Sequence, residues 1–191
     1  MIFPRVAHNF TTPGSAGAYA AGDSVSNSAS GASVLPLTFN IPWTSGQITS
    51  CSCVVTPASG NLVITNLDFQ LLVFRPVASV PFAAGSFVAD NAAMAITAAS
   101  YRELVARFTF VNTGWQNPAG AFTTGVTGQQ TVIPGIGAAS TRIYAPFYSG
   151  NEPGVVQRQQ LIGVVQALAA WNDANVANRF DFALDLMVDA P

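Results

Sequence analysis

Apolar and polar residues alternate with a period of two along several stretches of this chain. The clearest stretch is late: Phe180, Phe182, Leu184, Leu186 and Val188 alternate with Asp181, Ala183, Asp185, Met187 and Asp189. Such alternation puts the first set on one face of a β-strand and the second on the other. The acidic face also discourages sheet-to-sheet aggregation. Leu67, Phe69, Leu71 and Val73 likewise share a face, with Asp68 and Gln70 opposite, so a half-buried strand is expected before Arg75-Pro76. Leu35, Leu37 and Phe39 alternate with Pro36, Thr38 and Asn40. Pro36 and Pro42 cannot donate to a ladder and place this segment at a sheet margin. Residues 47–56, rich in Ile, Thr, Val and Cys, read as a further strand ending at a Pro-Ala-Ser-Gly turn.

Other segments break that rhythm. Residues 90–106 carry the best helix signal, of one or two turns. Thr97 or Ser100 can cap it, and Glu103 stands where a capping box needs it. Residues 108–111 then resume a strand. Residues 161–171 fit a helix through Leu161, Val164 or Val165, Leu168 and Trp171, and fit a buried strand equally well. Residues 172–175 form a turn. Residues 1–11 read as an N-terminal extended arm. Residues 12–33 read as loop with one short strand near Tyr19. Residues 12–191 are expected to form a single domain with a loop-rich excursion at about 112–157, either irregular or a strand pair with large loops. The fold class that follows is all-β: an antiparallel β-sandwich, jelly-roll-like, with one short helix and long loops. No internal repeat is visible.

Composition sharpens this picture. A chain of 191 residues can bury about 70% of its unfolded surface. Charged residues are only 8% of the chain, against about 25% in ordinary domains. All seven basic residues are arginine. The surface is therefore built of Ser, Thr, Asn, Gln, Gly and Ala, which lose little side-chain entropy on contact. Such a surface suits a protein covered in interfaces; a GC-rich genome would favour the same residues. The net charge of −2 and the lack of a basic stripe argue against nucleic acid as a partner. No run approaches the ~20 apolar residues of a membrane span, and the first residues lack the series of a secretory signal.

The candidate chemistry is thin. His8 is the only imidazole, so a Ser-His-Asp system has one possible base, and it sits in the expected arm. A surface or interface histidine is the plainer reading. Cys51 and Cys53 share a strand face and are too close in sequence for a normal bridge; they read as small apolar core residues. Asp181, Asp185 and Asp189 lie about 13 Å apart in steps along one strand face, as a solvated face or a weak Ca²⁺ site. Without lysine there is no phosphate loop. No enzyme activity, cofactor or metal is expected. Trp171 and Phe122 read as core. Trp115, Tyr144, Phe147 and Tyr148 stand in loop context, as interface anchors or sugar-stacking platforms.

Four segments in order resemble a family of small virion structural proteins, or capsid decoration (cement) proteins, of tailed bacteriophages. They are Ala18-Tyr19-Ala20-Ala21-Gly22-Asp23-Ser24-Val25; residues 66–74; Asp90-Asn91-Ala92-Ala93-Met94-Ala95-Ile96-Thr97; and the closing pair 161–171 with 179–189. The resemblance covers roughly residues 5–111 and 158–189. It implies that 161–171 is a strand, that the fold is an all-β sandwich, and that the protein sits on a virion. Residues 112–157 are longer than the matching region of compact members, which makes them candidates for partner contacts.

The expectation is a decoration protein on the capsid exterior, made in the host cytoplasm. Its partner would be the major capsid protein, bound through charge-poor surfaces and the arm residues Ile2, Phe3 and Arg5. A homo-oligomer is expected, with a trimer natural to capsid threefold sites. The alternative is a tail, baseplate or fibre component that binds a host surface glycan through the loop aromatics.

Overall fold

The computed structural model describes residues 2–14, 18–30, 34–41, 45–57, 67–75, 89–94, 96, 98–111, 113, 115, 128–132, 145–148, 160–172 and 177–188. In chain order these hold β1 (Arg5–Thr11), β2 (Ala18–Tyr19), β3 (Ser24–Val25), β4 (Leu37–Asn40), β5 (Ser45–Pro57), β6 (Phe69–Phe74) and α1 (Ala98–Arg102). There follow β7 (Leu104–Phe110), β8 (Gly128–Val132), β9 (Ala145–Tyr148), β10 (Gln160–Ala167), β11 (Trp171–Asn172) and β12 (Asn178–Met187). Two antiparallel sheets carry the fold. The first runs β1-β12-β5-β8, with β9 also on β5; the second runs β3-β10-β6-β7, with β4 also on β10. The expected all-β sandwich is the observed architecture.

The alternation in β12 decides how the first sheet faces. Phe180, Phe182, Leu184 and Leu186 are buried, while Asp181, Ala183 and Asp185 stay partly open. β5 answers with Ile48, Cys51, Cys53 and Val55, all fully buried. Ile48 and Cys51 lie three apart, which a regular strand would put on opposite faces. A bulge resolves this: Asp185 opposes Ser50 and Leu186 opposes Ile48, leaving Thr49 as the extra residue. Thr49 Oγ1 donates to Asp185 O at 3.0 Å.

The sheets meet through aromatic rings. Phe69 of β6 stacks on Phe110 at 4.9 Å between ring centres and meets Phe180 and Phe182 edge-on at 5.6 and 6.0 Å. Edge-to-face contacts at these distances are favourable beyond the area they bury.

Three expectations are corrected. The strand through Leu71 is not half-buried; every residue of β6 is buried. Leu72 and Phe74 face away from the main core and are covered by Met94, Ile96, Leu104 and Ile162, and Gln70 Nε2 donates to Gln166 Oε1 across the ladder at 2.8 Å. The helix has the expected one to two turns, as α1, but the strand after it begins at Leu104 rather than 108. Ser100 lies inside that helix, and Glu103 accepts from Arg75 at 2.6 Å instead of closing a capping box. Finally, residues 5–11 are extended, as an arm would be, yet they are an edge strand of the domain's own sheet, in register with β12 from Arg5↔Asp185 to Thr11↔Arg179. Val6 and Phe10 explain the docking, since both pack against the core. Residues 161–167 are strand, within β10, and Trp171 opens β11 after a bend over 168–170. The excursion contributes β8 and β9, which pair with different parts of β5.

Gly163 shows how tightly the second sheet is built. β10 is flanked there by β4 and β6, and a Cβ on Gly163 would lie 3.0 Å from Leu71 Cδ1 and 3.1 Å from Leu37 Cβ and Phe39 Cε2. Gly163→Ala is expected to destabilise the fold by about 1–3 kcal/mol through overpacking. Urea denaturation checks this; an unchanged or raised midpoint would mean the neighbours give way.

Candidate functional site

The residues singled out by sequence fall in different places. Ile2 is paired with Val188 by reciprocal backbone bonds of 2.9 and 3.1 Å. Phe3 is 71% exposed and Ile2 39%. Arg5 Nε donates to Asp185 Oδ1 at 2.7 Å and its Nη2 to Oδ2 at 3.2 Å. Ile2, Phe3 and Arg5 therefore share one accessible margin of the first sheet. Trp115 does not stand free on a loop. It is half-buried, its ring centre lies 5.7 Å from Phe69 and 5.9 Å from Phe110, and its Nε1–H donates to Leu67 O at 3.0 Å. A ring held in the core this way has given its polar edge to the backbone. Phe147 and Tyr148 are in β9, opposite Gly46 and Ser45. Tyr144 and Phe122 lie outside the described residues.

Asp185 carries the clearest electrostatics. Burial raises its pKa, but hydrogen bonds from Arg5 and Ser50 and the Arg5 charge outweigh burial, so the carboxyl lies below its ordinary value. Ser50 Oγ donates to Oδ2 at 2.6 Å. A depressed carboxylate contributes stability above its unfolded pKa of about 3.9 and loses that contribution as pH falls through the folded value. The pair is exposed to solvent, so Arg5→Ala is expected to cost only about 0.5 kcal/mol near neutral pH. The difference between the two proteins should vanish in acid, once Asp185 is protonated in both; urea melts at two pH values test this.

The other candidates are structural. His8 is half-buried, and its Nδ1 lies 2.7 Å from Thr38 O and 3.1 Å from Thr38 N. The ring thus joins β1 of the first sheet to β4 of the second. Among the described residues no carboxylate bonds it, so the orienting partner of a triad is missing there. Cys51 and Cys53 are free and fully buried, and burial pushes both thiols well up. Asp181 pairs with Arg179 at 2.7 Å. Among the described residues no three potential ligands cluster for a metal, and no helix is long and apolar enough to cross a membrane. A cleft beside Phe10, Leu35 and Val164 has a volume of about 20 Å³, room for about one water molecule.

One polar cluster was not legible as such in the sequence. Asp90, 8% exposed, accepts from Tyr19 Oη and from Ser26 N–H, both at 2.8 Å. Tyr19 stacks on Trp171 with ring centres 4.1 Å apart. Backbone bonds weave the same segments together: Ser24 N–H to Ala92 O, Asn91 N–H to Ser24 O, Met94 N–H to Gly22 O, and Ala167 N–H to Asp23 O, at 2.8 to 3.0 Å. Gly22 and Asn91 take positive φ, 97° and 57°, which the close weave requires and which Gly and Asn tolerate best. Gln166 Nε2 donates to Gly22 O at 3.1 Å and ties in β6 through Gln70. The junction is buried and well bonded, which suits a clamp rather than a binding cleft. The only signal for it was the recurrence of Tyr19 and Asp90 in the segments that carry the resemblance. No protein-family model matches this sequence, and no curated protein matches it either.

Proposed function

We propose that the chain is a structural protein of a tailed-bacteriophage particle, a capsid decoration protein that lies on the outer shell and ties neighbouring major capsid subunits together. One observation carries the reading. The segments around Tyr19, Gln70, Asp90 and Trp171, which resemble that family in order and spacing, also meet in space at one hydrogen-bonded junction. The lysine-free, charge-poor surface fits the role, because it desolvates and orders at low cost. Stoichiometry tests the proposal: quantitative mass spectrometry of purified particles should give on the order of one copy per major capsid subunit or per threefold site. A few copies per particle would assign the chain to the tail or its fibres, and absence from particles would end the virion reading.

A further inference from the structure

Among the described residues, the β1 edge of the first sheet is open and has the chemistry of a pairing surface. β1 pairs only with β12 among the described residues. The bonds of Ile2 N–H and O with Val188, of Pro4 O with Leu186 N–H, and of Thr12 N–H with Asn178 O show which residues face that partner. They are the even-numbered ones. By alternation, the N–H and C=O groups of Phe3, Arg5, Ala7, Asn9 and Thr11 point away from β12, toward the open side. β4 lies close by, but its hydrogen bonds to β1 go to the His8 ring, not to this row of backbone groups.

Edges are usually blunted by lysine, proline or a bulge. β1 has none of these: its sequence is Arg-Val-Ala-His-Asn-Phe-Thr, and its register with β12 runs without a shift. It offers about 23 Å of regular ladder.

We propose that β1 pairs antiparallel with β1 of a second copy, about a twofold axis through Ala7. This interface stands apart from the virion reading and holds whether or not that reading does. The backbone phase restricts the register, and the side chains choose Ala7 among the registers it allows. Outward-facing residues must oppose outward-facing residues, and centring on Ala7 sets Arg5 opposite Asn9 and Phe3 opposite Thr11 of the second copy. About six backbone hydrogen bonds form between residues 5 and 9 alone.

The side chains favour a second copy as occupant. The one charge along the outward row, Arg5, is already neutralised by Asp185 and would face an amide, so no like charges oppose each other. Only the small side chain of Ala7 meets itself on the axis. Exposed apolar residues stand at both ends of the edge. Phe3 is at one end, and Leu35, 72% exposed, lies at the other, in the cleft wall it shares with Phe10. A twofold brings the Phe3 end of each copy to the Leu35 end of the other, and an isologous contact of this kind closes on itself.

The test uses the full chain in sedimentation equilibrium from micromolar to near-millimolar concentration. The wild type should show a reversible monomer–dimer equilibrium. Ala7→Pro deletes an N–H that points to the open side and leaves every bond to β12 intact. Ala7→Lys keeps the backbone and sets two charges against each other on the axis. Each should weaken the dimer by roughly tenfold or more, with far-UV circular dichroism unchanged. Ala7→Cys should crosslink to itself under mild oxidation, since opposed Cα atoms about 5.5 Å apart lie within disulfide reach; the native Cys51 and Cys53 are buried and do not compete. A wild type that stays monomeric throughout, or a dimer that folded Ala7→Lys leaves unchanged, overturns the proposal.

Discussion

Phe69→Ala is expected to remove about 4–5 kcal/mol of folding stability, near the top of the range for aromatic-to-alanine changes. The size follows from position. Phe69 is fully buried and touches rings from its own sheet, Phe110, and from the facing sheet, Phe180 and Phe182, as well as Trp115. Deleting it loses the transfer energy of a whole ring, several aromatic contacts and the filling of a space that four other rings define. Three of those rings, Phe110, Phe180 and Phe182, sit on paired strands and cannot collapse into the gap together. For a domain of this size the midpoint of thermal unfolding should fall by roughly 10–20 °C. Phe69→Leu, which refills most of the volume, should recover more than half of the loss. Chemical denaturation of both variants checks the argument; a loss below about 2 kcal/mol would mean the site relaxes freely.

Asp90→Ala carries the second-largest expected effect, about 2–4 kcal/mol. Here the loss is polar. The carboxylate serves Tyr19 Oη and Ser26 N–H in a nearly water-free setting, and alanine strips the acceptor from both donors. Hydrogen bonds to charged groups are worth about 1.5–3 kcal/mol, and buried donors that lose an acceptor are costly. Tyr19→Phe removes the Tyr19 bond and leaves that from Ser26 N–H, and should cost less than Asp90→Ala. In the double variant the tyrosine change should add little, because its partner is already gone. Full additivity in denaturant melts would show that Tyr19 and Asp90 do not act as a unit.

Much of the fold was readable where a strand's surroundings repeat along it. β12 alternates because one side meets the core and the other meets solvent, so Phe180 to Leu186 declare their face in the sequence. β6 was misread for the opposite reason. Its second face is covered by residues near Met94 and Ile96, far along the chain, and periodicity within a strand cannot report what packs on it from elsewhere. The run Leu71-Leu72-Val73-Phe74 was the available signal of burial on both sides. The start of β7 was hidden by Ser100 and Glu103, whose capping pattern is local while the Arg75–Glu103 pair that wins is not. β8 was obscured because its Gly-Gln-Gln-Thr-Val sequence has little apolar rhythm.

The candidate surface was legible in part. Ile2, Phe3 and Arg5 were flagged by sequence and do share an accessible margin. That the margin is a strand edge depends on β12, 180 residues away at Arg5–Asp185, and no local pattern encodes such a partner. Trp115 looked free because glycine and proline surround it. Its indole N–H found a backbone carbonyl at Leu67 instead, a contact that rests on tertiary proximity alone.

The place of β12 between β1 and β5 also bears on how the chain reaches this structure. Both of its neighbours precede it by more than a hundred residues in sequence, and neither pairs with the other. The first sheet therefore has no local hairpin through which to nucleate those central pairings. Its assembly waits on loop closures across most of the chain, whose entropy is lost before any ladder energy returns. The second sheet has the shorter connection, with β6 and β7 separated by one short helix and the segments around it. Folding then has a natural order, in which β6 and β7 offer an early platform and β12 closes the sandwich late, on the slow timescale typical of chains dominated by distant pairings.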